Sequence, residues 1–147
     1  MSSNSRRTAF GGAVDQSAVS SYDVDDDGAL HTVSASVGTT ETAACWVVVT
    51  PDGRFVYTTN TGSGSITGYQ AGFDGDLTIL DANGRTGVTG NGSAPIDMAL
   101  SRGGHFLYTL NSGTHSIGAF FVTHTGALVR LPFTGGLPAT ANGLAAR

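Results

Sequence analysis

The sequence predicts an all-β fold, a partial β-propeller of about three four-stranded antiparallel blades. Three observations predict it. Residues 52–60 (DGRFVYTTN) recur as 103–111 (GGHFLYTLN), placing Tyr57 and Tyr108 51 residues apart. Short apolar runs alternate with glycine-rich turn signals, and no stretch sustains a helical period. Glycine makes up 22 of 147 residues, concentrated at turns. A fixed period carrying about four strands per unit is the pattern of a propeller blade. A β-sandwich also uses short strands and regular turns, but long-period identity favours the propeller.

The chain divides into a partial unit (9–36), two whole units (43–82 and 94–133) and a first-strand stub (141–147). In the first unit, Tyr22, Gly28 and Leu30 match Tyr69, Gly75 and Leu77, and Phe10 falls where Tyr57 would be. The second unit opens with a strand from Cys45 to Val49. It is apolar on both faces, as a strand packed between sheets should be, which predicts a buried, inert Cys45 thiol. Pro51-Asp52-Gly53 turns the chain. Phe55 to Thr59 is a second strand rich in aromatic and β-branched residues. Thr61-Gly62-Ser63-Gly64 turns it again into a third strand, Ser65 to Gln70. Phe73-Asp74-Gly75 is a hairpin signal before the last strand, Leu77 to Leu80. The third unit repeats this order. In the stub, Ala141 matches Ala43, and Leu144 stands where Trp46 does.

Composition narrows the function classes. Charged residues are 12% of the chain, the net charge is −4, lysine is absent and glutamate occurs once, at Glu41. Arg6-Arg7 is the only basic cluster, so nucleic acid is not an expected partner. No apolar run reaches membrane-spanning length, and no signal peptide is visible, so the expected setting is cytoplasmic with no membrane partner. A lone cysteine excludes a disulfide framework and a multi-cysteine metal site.

Blade geometry sorts the chemical candidates. Turns alternate between the two faces of the disc. The loops entering the first strands share a face with the second-to-third turns. Asp97, at the inner end of its strand, and His115, on a turn of that face, form the candidate proton-transfer pair, or else Asp97 caps a turn and His115 is solvated. Trp46 is a candidate stacking surface for a sugar or other ring, or a filler of the gap between blades. Asn60 and Asn111 end their strands at matched positions, as candidate substrate contacts or as turn-forming asparagines. His105 and His124 fall on the opposite face. The acidic run Asp23, Asp25, Asp26, Asp27 opens like a calcium loop, but Ser34 stands where the bidentate glutamate belongs. It reads as a solvated hairpin, and no metal or other cofactor is expected.

The run 50–60 (TPDGRFVYTTN), followed by Ser65-Ile66-Thr67-Gly68-Tyr69, resembles the YVTN-type repeats of lactonase-like propellers, the family of propeller 6-phosphogluconolactonases and carboxymuconate cyclases. The resemblance implies a seven-bladed parent of which this chain carries the C-terminal blades. It also implies a hydrolase of a sugar lactone such as 6-phosphogluconolactone, with the small-molecule lactone as partner. The alternative is a non-catalytic propeller scaffold that binds a ligand or protein, or an inactive fragment. Enzymes of this family carry Pro-Arg-His and Asn-Arg-Gly-His signatures. The matching positions here read Ala44-Cys45-Trp46 and Pro95-Ile96-Asp97 for the first, and Asn60-Thr61-Gly62-Ser63 and Asn111-Ser112-Gly113-Thr114 for the second. Two accounts fit the complementary ends: a segment of a longer propeller, or copies joined head to tail as a homo-oligomer.

Overall fold

A computed structural model of the protein describes residues 7–13 and 17–147; Arg6 of the basic pair lies outside the described residues. Every regular element among them is a strand. The first sheet holds β1 (Arg7–Ala13), β2 (Ala18–Val24) and β3 (Leu30–Gly38). The second holds β4 (Ala44–Val49), β5 (Phe55–Asn60), β6 (Ser65–Ala71), β7 (Leu77–Ile79) and β8 (Gly87–Val88). The third holds β9 (Pro95–Leu100), β10 (Phe106–Asn111), β11 (Ser116–Val122), β12 (Leu128–Arg130) and β13 (Thr134–Gly135). Neighbouring strands are antiparallel, in the orders β1-β2-β3, β4-β5-β6-β7 and β9-β10-β11-β12. This is the meander of successive blades in a partial propeller.

The repeat also governs register. Phe55 faces Gln70 and Asn60 faces Ser65 in the second sheet; Phe106 faces Phe121 and Asn111 faces Ser116 in the third. The outer edge is richer than four strands per unit implied. β8 and β13 pair with the first residues of β6 and β11, beyond the ends of β7 and β12. The outer strand is therefore split, and each sheet runs past the bounds 82 and 133 read from the sequence.

Alternation along a strand serves two interfaces at once. Phe55, Tyr57 and Ile66 of the second sheet pack against Met98, Leu107, Phe120 and Val122 of the third. Val56, Tyr69 and Leu77 point the other way, into a cluster with Val19 of the first sheet. The middle sheet is therefore buried on both faces, and all of β5 is buried. Each of these large apolar side chains contributes about 1.5–3 kcal/mol by leaving water.

Two tyrosines bind the sheets across those interfaces. Tyr57 Oη donates to the Gly126 carbonyl at 2.8 Å, and Tyr69 Oη donates to the Val37 carbonyl at 3.1 Å. A buried phenol needs such an acceptor. Burial pushes both phenols well above their ordinary pKa.

Two expectations are corrected here. Residues 141–147 form no strand. The backbone N–H of Leu144 is instead given to the Asp97 carboxylate. Cys45 is exposed rather than buried, with Sγ 3.7 Å from the Ile96 carbonyl. The cause is a register break. Ala44 pairs with Asn60 and Val47 with Thr58, so Cys45 and Trp46 together oppose Thr59. A bulge of this kind re-aims side chains, and periodicity carries no sign of it.

Gly75 and Gly126 are repeat equivalents with φ of +88° and +85°. A Cβ at Gly75 would meet Thr8 Cγ2 at 3.1 Å, whereas one at Gly126 would meet the Phe55 ring at 2.6 Å. Replacing either by alanine costs about 1–2 kcal/mol for the left-handed backbone. Gly126→Ala should cost about 1–3 kcal/mol more, because the ring must shift within a packed interface. Urea unfolding of the two variants measures that difference directly.

Candidate functional site

The face that collects the second-to-third turns also collects backbone strain. Ala43 and Ala94, directly ahead of β4 and β9, have φ of +58° and +46°. Thr40 and His115 on the same face are also left-handed, at +58° and +49°. Such non-glycine residues cost of order 1–3 kcal/mol each, and they cluster where geometry serves a site.

Asp97 lies in β9, one place past a register break like that of β4: Leu110 pairs with Asp97, but Asn111 pairs with Pro95. Its side chain is buried and both oxygens are occupied. Oδ1 accepts the Met98 N–H at 2.6 Å, and Oδ2 accepts the Leu144 N–H at 2.7 Å. Asp97 thus clamps the 141–147 segment onto β9. His115 stays on the exposed turn between β10 and β11. No hydrogen bond or ion pair joins it to Asp97 among the described residues, so the structure does not bring the candidate pair together.

The remaining candidates separate clearly. Trp46, at the equivalent position in β4, is 47% exposed, so its ring is free for stacking. The Trp46 backbone N–H donates to Thr59 Oγ1 at 3.0 Å, which secures the bulge. Asn60 and Asn111 are fully buried. Asn60 Nδ2 donates to Ser65 Oγ at 3.0 Å and Thr67 Oγ1 at 2.9 Å. Asn111 Nδ2 donates to Ser116 Oγ at 3.3 Å, and its Oδ1 accepts from Thr109 Oγ1 at 3.1 Å. Both asparagines staple the second strand to the third. Their burial keeps a substrate from reaching them.

Sequence reasoning passed over Glu41. Its nearly buried carboxylate accepts Arg85 Nε at 2.7 Å and Ser65 Oγ at 2.9 Å, tying the loop before β4 to the segment between β7 and β8. Burial opposes ionisation, but hydrogen bonds from Ser63, Arg85 and Ser65 outweigh it and hold the carboxyl below its ordinary value. Being the only glutamate in the chain was the one available signal. The acidic hairpin of the first sheet is solvated: Asp25 Oδ2 pairs with His31 Nε2 at 2.7 Å, and Asp27 Oδ1 accepts the Ala29 N–H at 3.2 Å. No group of three or more histidine, cysteine or acidic side chains arranged for a metal exists among the described residues. No helix among them is long and apolar enough to cross a membrane.

Comparison with known proteins agrees with this architecture. The family described as "Lactonase, 7-bladed beta-propeller" matches residues 3–95. No curated protein matches the chain. Among solved structures, the chain is similar to a protein from Lactobacillus plantarum, with 17% identity and a TM-score of 0.73 over 92% of this chain and 41% of that one. A functionally unknown protein from Desulfotomaculum acetoxidans is similar at 22% identity and a TM-score of 0.68, over 81% of this chain and 35% of that one. The periplasmic gluconolactonase of Pseudomonas aeruginosa is similar at 19% identity and a TM-score of 0.67, over 93% of this chain and 41% of that one. These identities speak for the fold. The chain spans 35–41% of the length of these structures.

Because the folded state lowers the Glu41 pKa, the stability Glu41 contributes is present above its ordinary value of 4.5 and is lost as pH falls through the lower folded value. Glu41→Gln should therefore lower stability by about 1 kcal/mol at neutral pH. That difference should vanish once wild-type Glu41 is protonated. Urea midpoints of both proteins across pH 7 to 3 measure it.

Proposed function

We propose a lactone-hydrolysing role on this premise: the chain belongs to the lactonase family of seven-bladed β-propellers. The match over residues 3–95 is the observation that carries the proposal. The proposed substrate is a sugar lactone such as 6-phosphogluconolactone. The similarity to a gluconolactonase supports that class.

Hydrolysis needs a base to activate water and donors to hold the oxyanion formed at the carbonyl. Water adds to the lactone carbonyl, the ring ester C–O bond breaks, and the ring oxygen leaves as a hydroxyl. Asp97 is the proposed base. Its carboxylate sits at the inner end of β9, and it would act once Oδ2 gives up the Leu144 N–H. His115 is proposed to exchange the proton with the leaving oxygen, which requires its turn to move inward. Trp46 offers an exposed ring against which a sugar can lie.

The proposal includes further blades. β5 and β10 each have an inner strand beside them, β4 and β9, whereas among the described residues β1 pairs with β2 alone. A longer polypeptide or a second copy joined head to tail would supply the further walls.

A non-catalytic scaffold is the second reading, and one observation favours it: both oxygens of Asp97 are already satisfied by backbone donors. Acid release from 6-phosphogluconolactone and glucono-1,5-lactone, measured above the buffer blank, separates the two. Turnover reduced about a hundredfold or more by Asp97→Asn is the expected result for a general base. Undiminished turnover in that variant would remove Asp97 from the reaction. Saturable binding with no turnover would establish the scaffold.

A further inference from the structure

The opposite face carries a groove that the proposed reaction does not use. It lies between the two whole blades, with a volume of about 550 Å³. Its walls are the turn before β5, the equivalent turn before β10, and the turn after β11. Both blades lie within this chain, so the groove is complete here and does not depend on the lactonase reading.

Its floor is apolar, formed by the buried Phe55 and Val122. Phe121 forms one wall and is held edge-on to Phe106, with ring centroids 5.8 Å apart. Arg54 supplies the positive group of the lining, and His105 and His124 add two imidazoles. The Arg54 guanidinium lies over the Phe55 ring, 5.1 Å from its centroid, and its Nη2 donates to the His124 carbonyl at 3.4 Å. Stacking and one long hydrogen bond orient the group and leave most of its five donors unspent. Asp52 is the only carboxylate in the lining. Its Oδ1 turns back into its own turn, accepting from Thr50 Oγ1 at 2.6 Å and from the Arg54 N–H at 3.1 Å.

The repeat gives an internal control. One unit earlier, the positions of His105, Phe121 and His124 are held by Arg54, Gln70 and Phe73. Turn geometry alone therefore does not demand two histidines and a phenylalanine here. The constellation belongs to this groove.

We propose that this groove binds a small organic carboxylate with a flat apolar body. Arg54 and the imidazoles of His105 and His124 hold the carboxylate, and the body lies on Phe55, Val122 and Phe121. A guanidinium matches a carboxylate in a two-pronged geometry. An apolar pocket with a few convergent polar groups is the usual form of a small-molecule site.

Sodium benzoate is the probe, titrated into the 147-residue chain at constant ionic strength while the His105 and His124 ring-proton resonances are followed. Saturable shifts of both histidines are expected. Arg54→Gln should weaken binding about tenfold or more, the worth of a charge-assisted hydrogen bond. Asp52→Asn keeps the acceptor of the turn, removes the negative charge of the lining, and should tighten binding about twofold or more. His124→Phe installs the residue of the preceding unit and should weaken it, giving a second variant should Arg54→Gln misfold. Absent shifts, equal shifts with benzyl alcohol, or affinity unchanged in Arg54→Gln and His124→Phe would overturn the proposal. Sulfate binding as well as benzoate would refute the role of the apolar body.

Discussion

A four-stranded blade cannot bury its own two faces, and the rest of the structure depends on that constraint. Each sheet exposes apolar side chains on both sides because consecutive residues point opposite ways. Only a neighbour on each side removes them from water. The second sheet has both neighbours. It sends Tyr57 to the third sheet and Val56 to the first, and every residue of β5 is buried. Tyr57 and Tyr69 add a directional bond to each interface, to the carbonyls of Gly126 and Val37. Non-directional burial holds the blades together, and these bonds set their angular relation. Gly126 belongs to the same device, since a bare Cα is what lets its turn approach the Phe55 ring.

The two faces of the disc use the framework differently. On one, each inner strand takes an extra residue near its start. The bulge turns Cys45 and Trp46 outward in β4, and the matching break precedes Asp97 in β9. Left-handed Ala43 and Ala94 lead into these bulges, and Glu41 with Arg85 braces the loop beside them. That face is built from backbone irregularity and polar ties. The other face keeps regular turns between the second and third sheets and leaves a groove there, lined by His105, Phe121 and His124, which the repeat does not share.

Much of the fold was legible in the chain. Self-similarity at a spacing of 51 residues, with turn signals at fixed places, identified the sheets, their strand order and the equivalence of Tyr57 with Tyr108. Less of the site was legible. Matched positions for Asn60 and Asn111 showed that they share a role, but not that the role is a buried staple. Asp97 and His115 fell on one face by topology. Topology assigns a face without assigning a distance, and the backbone N–H of Leu144 took the carboxylate that His115 was expected to meet. Glu41 draws its importance from Arg85 and Ser65, 44 and 24 residues away, which no local pattern records.

The sequence by itself determined the modular all-β architecture, the family and the alternation of buried faces, because each follows from periodicity within a unit or between units. Only the tertiary structure decided the register breaks that expose Cys45 and Trp46, the partners of Asp97, and the meeting of Arg54, His105 and His124 in one groove. These depend on how neighbouring strands and turns approach one another. A shift of one residue or the loss of one Cβ changes that approach while leaving the repeat intact.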